Sequence, residues 1–108
     1  MTGTQTYREV FPDWADALDS LIPEHMRSGL ELYILYGVEP GNFLKTLLRG
    51  DFYGMMILAD PINSHRLYDY FLFLRWSAPG ACYGSEARVE TWIAEGGFCR
   101  HMKAESTG

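Results

Sequence analysis

The sequence predicts an all-α protein made of one domain, residues 1–108, with five or six short helices around a single core. Three observations predict this class. Turn or capping residues recur roughly every ten to fifteen residues. The apolar residues between them follow the three- and four-residue spacing of amphipathic helices. Of the 108 residues, 47% are hydrophobic and 15% aromatic. Aromatic side chains bury about 150–250 Å² each, so a chain of this length can fill one core.

Each predicted helix begins at a capping or proline residue, and most end at glycine. The start signals, in chain order, are Asp13, Pro23, Pro40, Asp51, Asp60 and Ser85. The stop signals are Gly37, Gly50 and the pair Gly96-Gly97. Aspartate and serine oxygens accept hydrogen bonds from the unpaired N–H groups of a first turn, and glycine adopts the left-handed conformation that ends a helix.

The longest uninterrupted segment, residues 61–77, is predicted to form one aromatic-rich helix. Apolar residues occupy most of its circumference, which is typical of a central, buried helix. A strand over residues 70–74 is the alternative, because aromatic residues also favour strands. The segment's length and the cap at Asp60 favour the helix.

The last predicted helix presents Val89, Trp92 and Ile93 on one side, and we expect this side to pack on the central helix. Residues 1–11 are expected to form an extended, polar N-terminal arm. Residues 98–108 are expected to form a tail whose last residues fray.

The negative charge is concentrated in the first third of the chain. Residues 1–40 contain seven acidic and two basic residues, which accounts for the whole formal charge of −5, and residues 41–108 contain seven of each. The basic residues are scattered, which argues against direct binding of nucleic acid. A surplus of acid in one segment points instead to a partner with a basic surface.

An acidic helix face is the predicted partner-binding site. Asp13, Asp16 and Asp19 recur every three residues and therefore share one broad face of the first helix, which Glu9 and Glu24 can extend. A line of carboxylates can engage a basic groove that normally holds phosphates. The alternative, which the residues alone favour, is that Asp13 and Asp16 complement the helix dipole while Asp19 only contacts water.

No cofactor or metal site is predicted. Cys82 and Cys99 are too few for a disulfide framework, and we expect two partly buried thiols. Together with His101 they could be considered as zinc ligands. A structural zinc site needs four ligands, usually in closely spaced pairs, and this pattern is missing.

His65 is the strongest catalytic candidate, because Asp69 follows four residues later and could orient its ring. An exposed pair on one helix face is the alternative and is favoured. Ser85 lacks the spacing of a nucleophile elbow and is better explained as a helix cap. We therefore expect a protein that is not an enzyme, with a small hydrolase as a minor alternative.

Two consecutive methionines, Met55 and Met56, precede Ile57 and Leu58. Methionine is flexible and polarisable, so this segment could form an adaptable binding surface or fill gaps in the core. Core filling is the favoured interpretation.

Four segments of the chain resemble small proteins encoded by bacteriophages and prophages. Their pattern reads approximately G-x-x-P-G-S-F-L, L-x-N-D-L, A-D-x-x-N and C-W-G-S-x-x-x-V-x-x-W. Here the segments span residues 36–44, 47–52, 59–63 and 82–92. This sequence has Asn42, Gly50 and Tyr83 in place of the pattern's serine, asparagine and tryptophan.

The resemblance implies a small accessory protein of a phage or mobile element, acting in the bacterial cytoplasm. Such proteins include stoichiometric inhibitors of the anti-CRISPR kind, so we expect a protein that binds and blocks a host defence nucleoprotein complex. The alternative is a phage housekeeping or assembly factor that self-associates through exposed aromatics. If the acidic face is not the interface, the loops from Glu39 to Asn42 and from Ala81 to Ser85 are the next candidates. Neither a signal peptide nor a long apolar run is present in the sequence, so no membrane partner is expected.

Overall fold

The computed structural model describes residues 12–99, and this part of the chain is helical without any strand. The α-helices are α1 Trp14–Leu21, α2 Glu24–Tyr36, α3 Asn42–Arg49, α4 Phe52–Leu58, α5 Pro61–His65, α6 Leu67–Ser77 and α7 Glu86–Glu95, with a 3-10 turn, Gly80–Cys82, before α7. The all-α prediction is confirmed for these residues, whereas the predicted count of five or six helices is too low. The predicted arm, residues 1–11, and residues 100–108 of the predicted tail lie outside the described residues.

Side-chain caps begin three helices where the sequence predicts them. Asp51, Asp60 and Ser85 each accept a hydrogen bond from the backbone N–H three residues later, at 2.9, 2.7 and 3.2 Å. Asp13 occupies the capping position of α1, but its side chain makes no capping hydrogen bond. The predicted glycine stops are confirmed by left-handed backbone at Gly37, Gly50 and Gly96.

The prediction of one helix over residues 61–77 is wrong, because the helix is interrupted at Arg66, between α5 and α6. The Arg66 N–H donates to the carbonyl of Asn63, which lies three residues earlier, whereas an α-helix pairs each N–H with the carbonyl four residues earlier. Its guanidinium donates to Asp69 at 2.6 Å and to two carbonyls at the end of α1, at 2.9 and 3.0 Å. These contacts between distant parts of the chain hold the break in place.

Helix α6 is amphipathic, and the predicted aromatic-rich central helix is not confirmed. Tyr70, Phe73 and Leu74 are buried in the core, whereas Tyr68 and Trp76 are 71% and 68% exposed. Aromatic residues therefore occupy both the core side and the solvent side of this helix. The exposed aromatic residues, Tyr68 and Trp76, are available for contacts with other molecules.

Helix α7 packs mainly on α3 and on the 3-10 turn rather than on α6, which corrects its predicted docking partner. Val89 and Trp92 are buried, as expected. The indole Nε1 of Trp92 donates to the backbone carbonyls of Tyr33 and Ile34, at 3.0 and 3.2 Å. Phe98, in the described part of the predicted tail, also belongs to the core.

Candidate functional site

The structure places three of the five predicted site residues along the exposed side of α1. Asp13, Asp16 and Asp19 are exposed, and Trp14 and Leu18 are buried on the other side of the same helix. Within residues 12–99, none of the three carboxylates forms an ion pair. They can therefore meet a cationic partner without first releasing an internal one.

Two guanidinium groups bind the C-terminal end of α1. Arg27 donates to the backbone carbonyls of Asp19 and Ile22, at 2.6 and 2.9 Å. Arg66 donates to the carbonyls of Ser20 and Leu21. Cations at this end of a helix are stabilising because the exposed carbonyls carry partial negative charge. Both arginines thus donate to backbone carbonyls of α1, and the carboxylates of Asp13, Asp16 and Asp19 keep their negative charge.

Glu24, another of the predicted site residues, lies apart from this surface. Glu24 is exposed in the first turn of α2 and lines a separate cleft with His25, Ile62 and Arg66. Glu9 lies outside the described residues. Among the described residues, the acidic surface therefore consists of the three aspartates of α1.

A groove of about 480 Å³ lies between α1 and α6, and Asp13 is the one of these aspartates that lines it. Its lining is mostly apolar and includes Trp14, Ala17, Leu21 and Leu72, with Asp13 and Trp76 also among the lining residues. We call this the α1/α6 groove. The Arg75 guanidinium lies 4.8 Å from the Trp76 ring centroid. An apolar groove that includes a carboxylate suits the aliphatic stem and charged head of a lysine or arginine side chain.

A second surface, on α4, was not favoured by sequence reasoning. Only Met55 of this seven-residue helix is buried. Core filling is confirmed for Met55 but wrong for Met56, which is 62% exposed. The exposed large apolar residues of the helix, here named the α4 apolar surface, are Phe52, Tyr53, Met56, Ile57 and Leu58. The sequence carried no local signal for this exposure, because a helix that is apolar on all sides is more often buried.

The predicted pairing of His65 with Asp69 is not formed. The Asp69 carboxylate accepts a hydrogen bond from Arg66, and the helix break places His65 at the end of α5. A different pair, unrecognised in the sequence, joins His25 Nε2 to Asp60 Oδ2 at 3.0 Å. The N–H of Asn63, followed by His25, holds the pKa of Asp60 below its usual value. Asp60 thus acts as a helix cap that also contacts an exposed imidazole.

Cys82 is fully buried, and burial raises the pKa of its thiol to about 12. Cys99 is partly buried, and both cysteines are free thiols. Among residues 12–99, no three histidine, cysteine or acidic side chains lie close enough together to hold a metal ion. His101 lies outside this range.

No protein-family model matches the sequence, and neither a curated protein nor a solved structure matches it. None of the helices between residues 12 and 99 combines the length and the apolar content needed to cross a membrane.

Proposed function

We propose that this protein acts by binding another protein through the α1/α6 groove and the carboxylates of α1, without catalysing a reaction. The observation that supports this function most strongly is that Trp76 and Asp13 line one apolar groove and are both exposed. The partner is a protein surface that carries lysine or arginine side chains. The aliphatic stem of one fills the groove while its charged head meets Asp13, and further cations face Asp16 and Asp19.

The electrostatics of α1 favour such a partner. Arg27 and Arg66 complement the negative end of the helix dipole, so the formal charge of the aspartates is directed to solvent. The chain carries a net charge of −5, which attracts a basic surface over distances longer than direct contact. Complementary charge of this kind accelerates association and aligns the partners.

In the setting that the phage resemblance implies, the partner is a host defence nucleoprotein complex. Such complexes have basic grooves for nucleic acid, and a line of carboxylates presents negative charge to the same lysines and arginines. By occupying the nucleic-acid groove of the complex, the protein blocks the complex stoichiometrically in the bacterial cytoplasm. This hypothesis requires no cofactor and no direct contact with nucleic acid.

The second candidate function is a phage assembly factor that self-associates. One observation favours it, namely the exposure of nearly every side chain of α4. The two candidates differ in the surface they use, so substitutions on α1 and on α4 separate them.

Capture from a bacterial host lysate tests the first candidate. The tagged chain is compared with Asp13→Lys/Asp16→Lys and with a matched control, Glu31→Lys/Glu90→Lys, which changes the net charge by the same amount away from α1. We expect the aspartate variant to capture about tenfold less of one basic partner than the wild type does, because its lysines repel the lysines and arginines of that partner. The control should retain it fully. Equal retention by both variants would exclude the α1/α6 groove as the binding site.

A further inference from the structure

We infer that the α4 apolar surface is the interface of a homodimer, with a second copy of this chain as its occupant. This inference rests on the second candidate function and deepens it, by assigning α4 to a symmetric contact between two copies of the chain. It is independent of the first candidate, which uses a different surface. Phe52, Tyr53, Met56 and Ile57 are each more than 60% exposed, and Leu58 is 45% exposed. Apolar groups concentrated on one short helix are typical of a contact surface.

The area of this surface fits a second copy. An aromatic side chain has about 150–250 Å² to bury, and the five side chains are 45% to 73% exposed, so each leaves on the order of 100 Å² in water. Each copy therefore contributes about 500 Å² before the rim is included. Two copies reach the about 1,000 Å² that a specific interface needs.

The charge distribution also favours a second copy. Residues 52–58 contain no charged side chain, whereas the chain as a whole carries −5. The flanking carboxylates, Asp51 and Asp60, both accept hydrogen bonds from backbone N–H groups. Two acidic copies repel each other least where such an uncharged surface is placed between them. A basic partner, in contrast, is attracted to α1.

The order of side chains along α4 is self-complementary in an antiparallel pair. The aromatic residues Phe52 and Tyr53 lie at the start of the helix, and Met56 and Ile57 lie one turn later. A two-fold axis makes each end of one helix face the opposite end of the other, so aromatic rings pack on aliphatic side chains. The two helix dipoles then also run in opposite directions.

A groove beside α4 can accept a side chain from the second copy. Its volume is about 230 Å³, and its lining includes Met55, Phe71, Leu74 and Tyr83. An aromatic ring seated in such a groove is the kind of anchor that dominates the energy of an interface. We place the Phe52 or Tyr53 ring of the partner copy there.

Sedimentation equilibrium of the full chain tests the dimer. We expect a concentration-dependent dimer whose dissociation constant changes little with salt, because α4 has no charged side chain and Arg75 is the one charged residue that lines the groove beside it. Phe52→Ser/Ile57→Ser should weaken it by about 100-fold, since two central apolar contacts are lost. The matched control, Leu32→Ser/Val38→Ser, removes two exposed apolar side chains outside α4 and should dimerise like the wild type.

Photo-crosslinking provides a measurement that needs no disruptive variant. Benzoylphenylalanine replacing Tyr53 should give a covalent dimer, and the same probe replacing Tyr36 should not. A wild type that stays monomeric at about 100 µM would overturn the inference together with the second candidate function, and it would leave the first candidate intact. A dimer that persists in the α4 variant, or a position-53 probe that captures only a foreign protein, would overturn it as well.

Discussion

The indole Nε1 of Trp92 donates a hydrogen bond to the backbone carbonyl of Tyr33 at 3.0 Å, which attaches α7 to the end of α2. Tyr33 is itself fully buried, and its hydroxyl donates to the Cys82 carbonyl at 2.6 Å. Three distant parts of the chain are thus joined by two buried hydrogen bonds. Buried bonds of this kind fix one arrangement, because moving the Trp92 indole away from α2, or the Tyr33 hydroxyl away from Cys82, leaves a donor without a partner in a dry core.

Replacing Trp92 by alanine should lower the free energy of unfolding by about 3–5 kcal/mol, because a large ring is removed from the core together with its hydrogen bond. Small domains are stable by only about 5–15 kcal/mol, so much of the variant's stability is lost. Urea denaturation measures the effect. Trp76→Ala is the control, since Trp76 is 68% exposed. Similar losses for the two variants would show that α7 is not part of the core.

Gly97 is expected to tolerate no side chain. Its φ is +79° and that of Gly37 is +69°, and a Cβ on Gly97 would collide with the backbone N of Gly37. Gly97→Ala should therefore cost more than about 2 kcal/mol, from the strained φ and the displaced backbone. Gly80→Ala, where the Cβ meets nothing within 4 Å, is the control. Equal melting temperatures for the two variants would contradict this close approach.

Alkaline pH is expected to destabilise the fold through Cys82. Burial raises the pKa of this thiol from 9.0 to about 12, so the folded chain holds a proton that the unfolded chain releases. The contribution of the protonated Cys82 thiol to the free energy of unfolding is complete below pH 9.0 and is lost as the pH rises towards about 12. Burial also raises the pKa values of Tyr33 and Tyr70, whose effect begins near their ordinary value of 10.0.

The variant Cys82→Ala distinguishes the effect of the Cys82 thiol from that of Tyr33 and Tyr70. The variant should keep a constant urea midpoint up to about pH 10, whereas the midpoint of the wild type should begin to fall near pH 9. The cavity that alanine leaves lowers stability at every pH and does not change the onset. Identical onsets in both proteins would remove Cys82 as the cause.

Local patterns in the sequence predicted the helices well, because capping and termination are local events. Asp51 and Ser85 make the capping bonds that their positions indicate, and Gly37 ends α2. The break at Arg66 could not be predicted in this way. It depends on carbonyls of α1, more than forty residues earlier in the chain.

The candidate site was partly predictable for the same reason. The three-residue spacing placed Asp13, Asp16 and Asp19 on the exposed side of α1, as the structure shows. The contribution of Trp76 required the packing of α1 against α6, which no local pattern encodes. The exposure of α4 was missed because a run of apolar residues predicts burial on average, whereas neighbouring helices decide which side is covered.

The most direct test of the proposed function is the affinity of the captured partner for wild type and for Asp13→Lys/Asp16→Lys/Asp19→Lys, at about 0.05 M and about 0.5 M salt. The triple variant should keep its circular dichroism spectrum, because Trp14 and Leu18 on the buried side are unchanged and each lost dipole interaction is worth only about 0.3–1 kcal/mol. We predict that it loses binding at low salt, and that wild-type binding weakens as salt screens the aspartates. A folded triple variant that binds as tightly as wild type at low salt would contradict the account.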